Sequence, residues 1–275
     1  MKKFFAVFLT ILGILGLASC SSAKTSFKSK GKKVSENVFT EKLIDALYGL
    51  SDVFEIESDD DIEVKVYTKS SSNKTDKYDT GVKETSKSKE ESNLVVKADS
   101  KNEAMSIKGD YSYTFELEGP DENRNETESE KIDQVIQSKG DAVAFVDKLT
   151  KTYSVYSSDI DSVVEQKLSG YMSQITGGFD TDSFDEDGDI TCYVSGDEVF
   201  TVVYEYESSK ETSKATIQLI LDDDEIGFIA EYDTEYTENE SWGVREVEQY
   251  SFSSVSMKIK DVSAKAVDLS GYDKN

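Results

Sequence analysis

Over most of its length beyond residue 60 the chain alternates apolar and polar residues with a period of two, which dictates strands with one dry and one wet face. Ile62, Val64 and Val66 alternate with Glu63 and Lys65; Tyr111, Tyr113, Phe115 and Leu117 stand opposite Ser112, Thr114, Glu116 and Glu118. The period returns at Phe200 to Tyr206, Ile217 to Leu221, Phe228 to Tyr232 and Val255 to Ile259. The run "IQSKGDAVAFVDKLTKTYSVY" predicts a meander: a strand to Gln137, a turn over 138–141, a strand over 142–147, a turn over 148–151 and a strand over 152–156. Turns this short make neighbouring strands antiparallel. The Lys-, Ser- and Thr-rich stretch 69–92 reads as an exposed hairpin or an ill-ordered loop, and Pro120, the single proline, marks a polar loop or hairpin tip.

Two segments break the period. Residues 35–50 place Phe39, Leu43, Ile44, Leu47 and Tyr48 on one helical face, with Ser35, Asn37 and Thr40 as candidate caps. A second helix carries Ile160, Val163, Val164, Leu168, Tyr171, Met172 and Ile175 on one face, with Ser158 and Asp161 as the expected capping pair and Gly177-Gly178 as its stop. Two amphipathic helices against nine or ten strands predict an α+β fold. Its expected form is a single large curved antiparallel sheet, a half-open β-barrel, with both helices on the concave face.

The N-terminus carries a different signal. Lys2 and Lys3 precede an apolar run from Phe4 to Ala18 that is too short to span a bilayer, which takes about 20 residues, and suits a targeting segment. Leu17-Ala18-Ser19-Cys20 follows and resembles the bacterial lipobox, in which the cysteine receives a diacylglyceryl group. The resemblance implies a signal peptide over 1–19 and lipidation at Cys20, with palmitate-like chains. Two or more chains give stable attachment where one is marginal. Residues 20–34, with Lys24, Lys28, Lys30, Lys32 and Lys33, are then expected as a flexible basic tether, and 35–275 as the sheet domain. The expected place is the cell membrane, lipid-anchored, on its extracytoplasmic face.

Charge and residue types narrow the chemistry. Fifty-six Asp and Glu against 31 Lys and Arg give a formal charge of -25, which opposes nucleic-acid binding. With Cys20 lipidated, Cys192 has no partner for an intramolecular disulfide, and "DITCYVSG" places it as a small buried apolar group. The chain contains no histidine, so Ser-His and Cys-His dyads and the commonest metal ligand are absent. "SFDEDGDITCYV" approaches a calcium loop through Asp185, Asp187, Gly188 and Asp189, but Ser183 and Val194 stand where it needs carboxylates; the acidic loop 180–189 therefore reads as solvated. Asp59 to Asp61 and Asp222 to Glu225 read as hairpin tips, and Trp242 as a packing residue beside a turn. A carboxylate-based glycoside hydrolase would need two carboxyl groups about 5 to 10 Å apart in a cleft. No catalytic residue, cofactor or metal is assigned.

The order of elements and the meander "SKGDAVAFVDKLTKTYSVY" resemble the LolA and LppX/LprG-like group of bacterial lipoproteins and lipoprotein carriers. The resemblance implies a bent sheet around an apolar cavity for acyl chains or a lipidated molecule. It carries over no numbered binding residue. Tyr111, Tyr113 and Phe115 are expected either to pack against the helices as core or to line that cavity. Two functions follow: a non-enzymatic lipid-anchored carrier of an amphiphile, or an envelope protein-protein interaction module with a filled core.

Overall fold

One sheet takes up the strands that the alternation predicts. The structure is a computed structural model and describes residues 24–48, 60–177, 188–222 and 224–275. In chain order its strands are β1 (Lys32–Val34), β2 (Ile62–Tyr78), β3 (Lys83–Asp99), β4 (Ala104–Glu118), β5 (Asn123–Ser138), β6 (Val143–Asp147), β7 (Thr152–Tyr156), β8 (Asp189–Ser195), β9 (Val199–Glu207), β10 (Glu211–Asp222), β11 (Glu225–Glu240), β12 (Gly243–Ile259) and β13 (Asp273–Lys274). The helices are α1 (Glu36–Tyr48) and α2 (Ile160–Gly177). Across the sheet the order is β1-β8-β9-β10-β11-β12-β2-β3-β4-β5-β6-β7-β13. The sheet curves without closing into a barrel, as the α+β expectation requires. Every pairing is antiparallel except that of β13 with β7, which is parallel.

The stretch 69–92 is a hairpin, its ladder unbroken from Ile62↔Ala98 to Lys77↔Lys83. Pro120 sits in the turn between β4 and β5, and the 138–156 meander forms as its turns predict. Asp222↔Glu225 closes the β10–β11 turn. Asp61 departs from the hairpin-tip expectation: it is buried and accepts from the Ser100 backbone N and Oγ, both at 3.2 Å. The short acidic residue thus caps the neighbouring β3–β4 turn.

Both helices lie on the inner face. Phe39 of α1 and Ile160, Leu168 and Ile175 of α2 join a cluster with Val64, Met105, Phe200, Leu219, Ile226 and Met257, the side of each strand that alternation marks as dry. Ser35 stands at the N-cap of α1, its carbonyl accepting from Phe39 N at 2.9 Å. The cap of α2 is displaced by one residue from expectation: Asp159, not Ser158, accepts from Ser162 N at 2.7 Å and Ser162 Oγ at 2.9 Å. The predicted face of α2 packs in full, whereas on α1 Phe39 is buried and Leu43 and Ala46 are partly so. Ile44, Leu47 and Tyr48 are exposed because α1 meets the sheet only near β8.

Two terminal segments cross the outer face. From Thr25, which donates to Ser254 Oγ at 3.2 Å and Ser256 Oγ at 3.1 Å, the N-terminal strap runs over β12 to β10, where Gln218 exchanges two hydrogen bonds with the Lys28 backbone (2.6 and 3.1 Å). Phe27 packs edge-on to Phe252. The strap then turns at Gly31, whose φ of +78° and 2.2 Å clearance between a built Cβ and the Val194 carbonyl exclude any side chain, and becomes β1. The flexible basic tether expected over 20–34 is therefore, from Lys24 onward, a part of the sheet's outer layer. At the opposite end Gln137 holds the Val267 backbone by two bonds (2.6 and 3.1 Å), and buried Asp99 accepts from Ala264 N at 3.0 Å.

The direction of α2 shapes the rest. It touches β11, β12 and β5, which have β2, β3 and β4 between them, so it lies across the strands and covers only the end of each that carries the core. A strand of 17 residues such as β2 extends about 55 Å, and among the described residues its far half continues as a blade one layer thick. A Leu219→Ala substitution in the covered half is expected to cost about 3 to 4 kcal/mol, and Ile44→Ala on the open side of α1 less than about 0.5 kcal/mol, in urea denaturation.

Candidate functional site

The blade is where this chain presents side chains on both faces. Alternation along β4 carries the inner face from Met105 and Ile107, under the helices, to Tyr111, Tyr113 and Phe115 beyond them. These three rings lie outside the helix-packed cluster and are half-buried, so they neither pack against the helices nor line a space between helix and sheet. The expectation failed because the period fixes which face a ring takes but not how far along the strand a helix reaches. Across the ladder each ring has a carboxylate neighbour: Glu90 and Glu128 flank Tyr113, Glu130 pairs Tyr111 and Glu126 pairs Phe115. Burial pushes the Glu90 carboxyl up, and burial with the Glu90 and Glu128 charges raises the Tyr111 phenol. The guanidinium of Arg124 stacks 5.8 Å from the Phe115 ring centre and pairs with Glu126.

On the outer face of the blade a cleft of about 300 Å³ runs over β11, β12, β2 and β3, with Ser71 and Asn73 as its floor, Lys87 and Lys89 on one side and Glu248 and Tyr250 on the other. Asn73 Nδ2 donates to Glu248 Oε2 at 3.0 Å. The Tyr250 hydroxyl donates to Glu231 Oε1 at 2.9 Å; burial and then that carboxylate push its acidity to about 12. Asp233, Glu235 and Glu248 gather on one wall, opposite the two lysines, in a groove that stays in contact with solvent. The tip of the blade is held by Asp76, 4 % exposed, which takes Lys74 Nζ at 2.7 Å and Arg245 Nε at 2.8 Å. Trp242 packs there on Tyr78 at 4.9 Å and beneath Arg245 at 5.3 Å, as a turn-side packing residue should.

Cys20 and most of the acidic loop 180–189 lie outside the described residues. Of that loop Gly188 and Asp189 are seen, Asp189 opening β8. Among the described residues no three His, Cys, Asp or Glu side chains come together as metal ligands, and no helix is long and apolar enough to cross a membrane. Cys192 is buried, and burial raises its thiol, as expected of a small apolar group. The polar anchors Glu63, Asp76, Asp99 and Gln137 were not singled out from the residue pattern, because a buried carboxylate in an alternating strand has the same letter as an exposed one.

No family model and no curated protein matches the chain. Among solved structures, the di-domain ARO/CYC StfQ from the steffimycin biosynthetic pathway aligns over 81% of this chain and 81% of its own, at 8% identity and a TM-score of 0.15. A likeness so slight carries no argument about fold or activity.

Three buried carboxylates set the pH response. Burial pushes Glu63, Asp76 and Asp99 up, but the Lys260 and Lys65 contacts on Glu63, the Lys74 and Arg245 bonds on Asp76, and the Asn102 and Ala264 donors on Asp99 bring each below its ordinary value. A depressed carboxyl stabilises the fold above its unfolded value and loses that contribution as pH falls through its folded one. The urea midpoint is expected to stay flat from about pH 7 to 5 and to fall below about pH 4, with Asp76→Asn and Asp99→Asn each flattening the fall. Arg245→Ala is expected to cost about 2 to 3 kcal/mol, read in the same titration at neutral pH.

Proposed function

We propose that this chain is a non-enzymatic lipoprotein, held on the extracytoplasmic face of the cell membrane by an acylated Cys20, that engages another envelope protein through its blade. The observation that carries the reading is the outer edge of β5. Its neighbour β6 pairs only with Gln134 to Ser138, so among the described residues no strand meets the outer side of 123–132. A strand edge of this length offers a row of backbone donors and acceptors to an incoming strand, and its exposed Glu128 and Glu130 beside Tyr111 and Tyr113 favour a partner strand bearing Lys or Arg. The absence of histidine supports the non-enzymatic part.

The carrier reading rests on the resemblance to the LolA and LppX/LprG-like group and on the curved, unclosed sheet with both helices on one face. Against it, Val64, Met105, Ile175, Leu219, Ile226 and Met257 fill that face at zero exposure, and the clefts of about 300 and 440 Å³ lie among polar residues of the blade. An acyl chain would have to displace α2. A photo-crosslinking residue at Thr127 is expected to give one discrete protein adduct in native membranes, and the same residue at Lys139 none. A stoichiometric lipid in native mass spectra of the purified protein, with no adduct from position 127, would favour the carrier instead.

A further inference from the structure

The two terminal straps leave a gap on the outer face, and its contents are at odds with the protein's charge. The N-terminal strap covers β8 to β12, and the C-terminal segment covers β5 to β7 through Val267, Leu269 and Tyr272. Between them, at the helix-covered end of the sheet, the outer sides of β2, β3 and β4 carry Lys65, Lys97 and Lys108 with their heads in reach of water, beside buried Glu63, while the C-terminal segment crosses the end of β3 where Ala264 meets buried Asp99. There Glu63 is ringed by three lysines, Lys260 at 2.7 Å, Lys65 at 3.4 Å and Lys97 at 3.7 Å. Three strands away Asp133 takes Lys148 at 3.1 Å and Lys108 at 3.5 Å. Five ammonium groups thus gather on Glu63 and Asp133, while the two other carboxylates at this end, buried Asp61 and Asp99, are taken up by Ser100, Asn102 and Ala264 donors, on a chain whose formal charge is -25.

One carboxylate accepts the charge of one lysine, and Glu63, 6 % exposed, is inward of all three. The lysine side chains around it are each 37 to 39% exposed, so their heads reach water. Beyond Glu91 and Asp110 the same face becomes acidic or mixed. The belt is therefore local and bounded.

The N-terminal strap delivers the chain to this belt. Its course over β10 and β12 brings Lys24 to the seam of β12 and β2, with its ammonium 4.3 Å from the Phe252 ring centre and 5.9 Å from that of Tyr67. Lys65 is two residues from Tyr67 on the same side of β2, and Ser256, bonded to Thr25, is the cross-strand partner of Lys65. Three residues lie between Cys20 and Lys24, a span of at most about 14 Å. Meanwhile Lys28, expected in a flexible tether, is engaged by Asp222 at 3.2 Å and Glu225 at 3.6 Å.

We propose that the Lys65, Lys97, Lys260, Lys108 and Lys148 belt is a docking face for an anionic phospholipid surface. It seats the helix-covered end of the outer face on the membrane and holds the acidic blade away from it. The proposal rests on the membrane anchorage proposed above but requires only that the N-terminal segment reach the bilayer. Attraction of about 1 kcal/mol per lysine near an anionic surface, screened by salt, is the force at work.

The test is amine acetylation with mass-spectrometric readout on the full chain, reconstituted in vesicles of phosphatidylglycerol or of phosphatidylcholine. With phosphatidylglycerol, Lys65, Lys97 and Lys108 are expected to react about fivefold more slowly than with phosphatidylcholine, the factor that about 1 kcal/mol supplies. The difference should vanish in about 1 M salt, where the screening length is about 3 Å. Lys87 and Lys89 on the blade should react alike in both. A Lys97→Gln/Lys108→Gln chain should lose the protection at Lys65 while keeping its urea midpoint. Equal reactivity in the two vesicles overturns the proposal while leaving anchorage at Cys20, read separately by intact mass, untouched. Equal protection by dissolved inorganic phosphate overturns the membrane as the ligand.

Discussion

The ladder between β12 and β2 is the interaction on which the rest depends. It runs from Gly243↔Tyr78 to Ile259↔Ile62 without a break and joins the first long strand of the chain to the last. Every other long-strand pairing in the sheet is a hairpin between neighbours in sequence. Without this one ladder the protein would be two separate meanders, β2 to β7 and β8 to β12, each with an apolar face uncovered. The loop it closes is most of the chain, so its entropy cost is among the largest in the fold. What offsets that cost is the burial of Val64, Val66, Val255 and Met257 at the covered end and the backbone bonds along the full length.

The same ladder explains why a blade without a hydrophobic core holds its shape. Its two faces are dressed with paired charges and small hydroxyls, and its order comes from continuous cross-strand bonding anchored at both ends. At one end is the helix-packed core. At the other is the Asp76, Arg245, Trp242 and Tyr78 cluster, where Gly243, with φ of +147°, lets the Lys77 carbonyl approach to a distance that no Cβ would permit. The free edge of β5 is kept from indiscriminate pairing by its own residues, since "NRNETESEK" is nearly all polar or charged. The sheet's outermost strands, β1 and β13, run for only three and two residues, and so offer little to a stray strand.

Division of charge follows division of structure. The outer face at the core end is where both termini return to the sheet, and its lysines are spaced along adjacent strands around two carboxylates. The blade carries the carboxylates of β5, β11 and β12. The lysine cluster and the carboxylate-rich blade thus stand on one continuous sheet, with the N-terminal strap beside the lysines.

Much of this was legible in the residues. Alternation fixed the faces of β2, β4, β9, β10, β11 and β12, the turns at 138–141 and 148–151 fixed the meander, and the helical face of Ile160 to Ile175 packs as spaced. These are local properties: side-chain direction follows from the backbone period, and short turns leave one way for the chain to return. What the residues left open was every matter of distance across the chain. Only the tertiary structure decided that Ser158 yields its cap to Asp159, that Lys24 to Lys33 lie on the sheet, that the helices stop short of Tyr111 to Phe115, and that Lys65, Lys97 and Lys260 converge on Glu63. Each depends on which strands become neighbours and how far an element reaches. A period of two is silent on both.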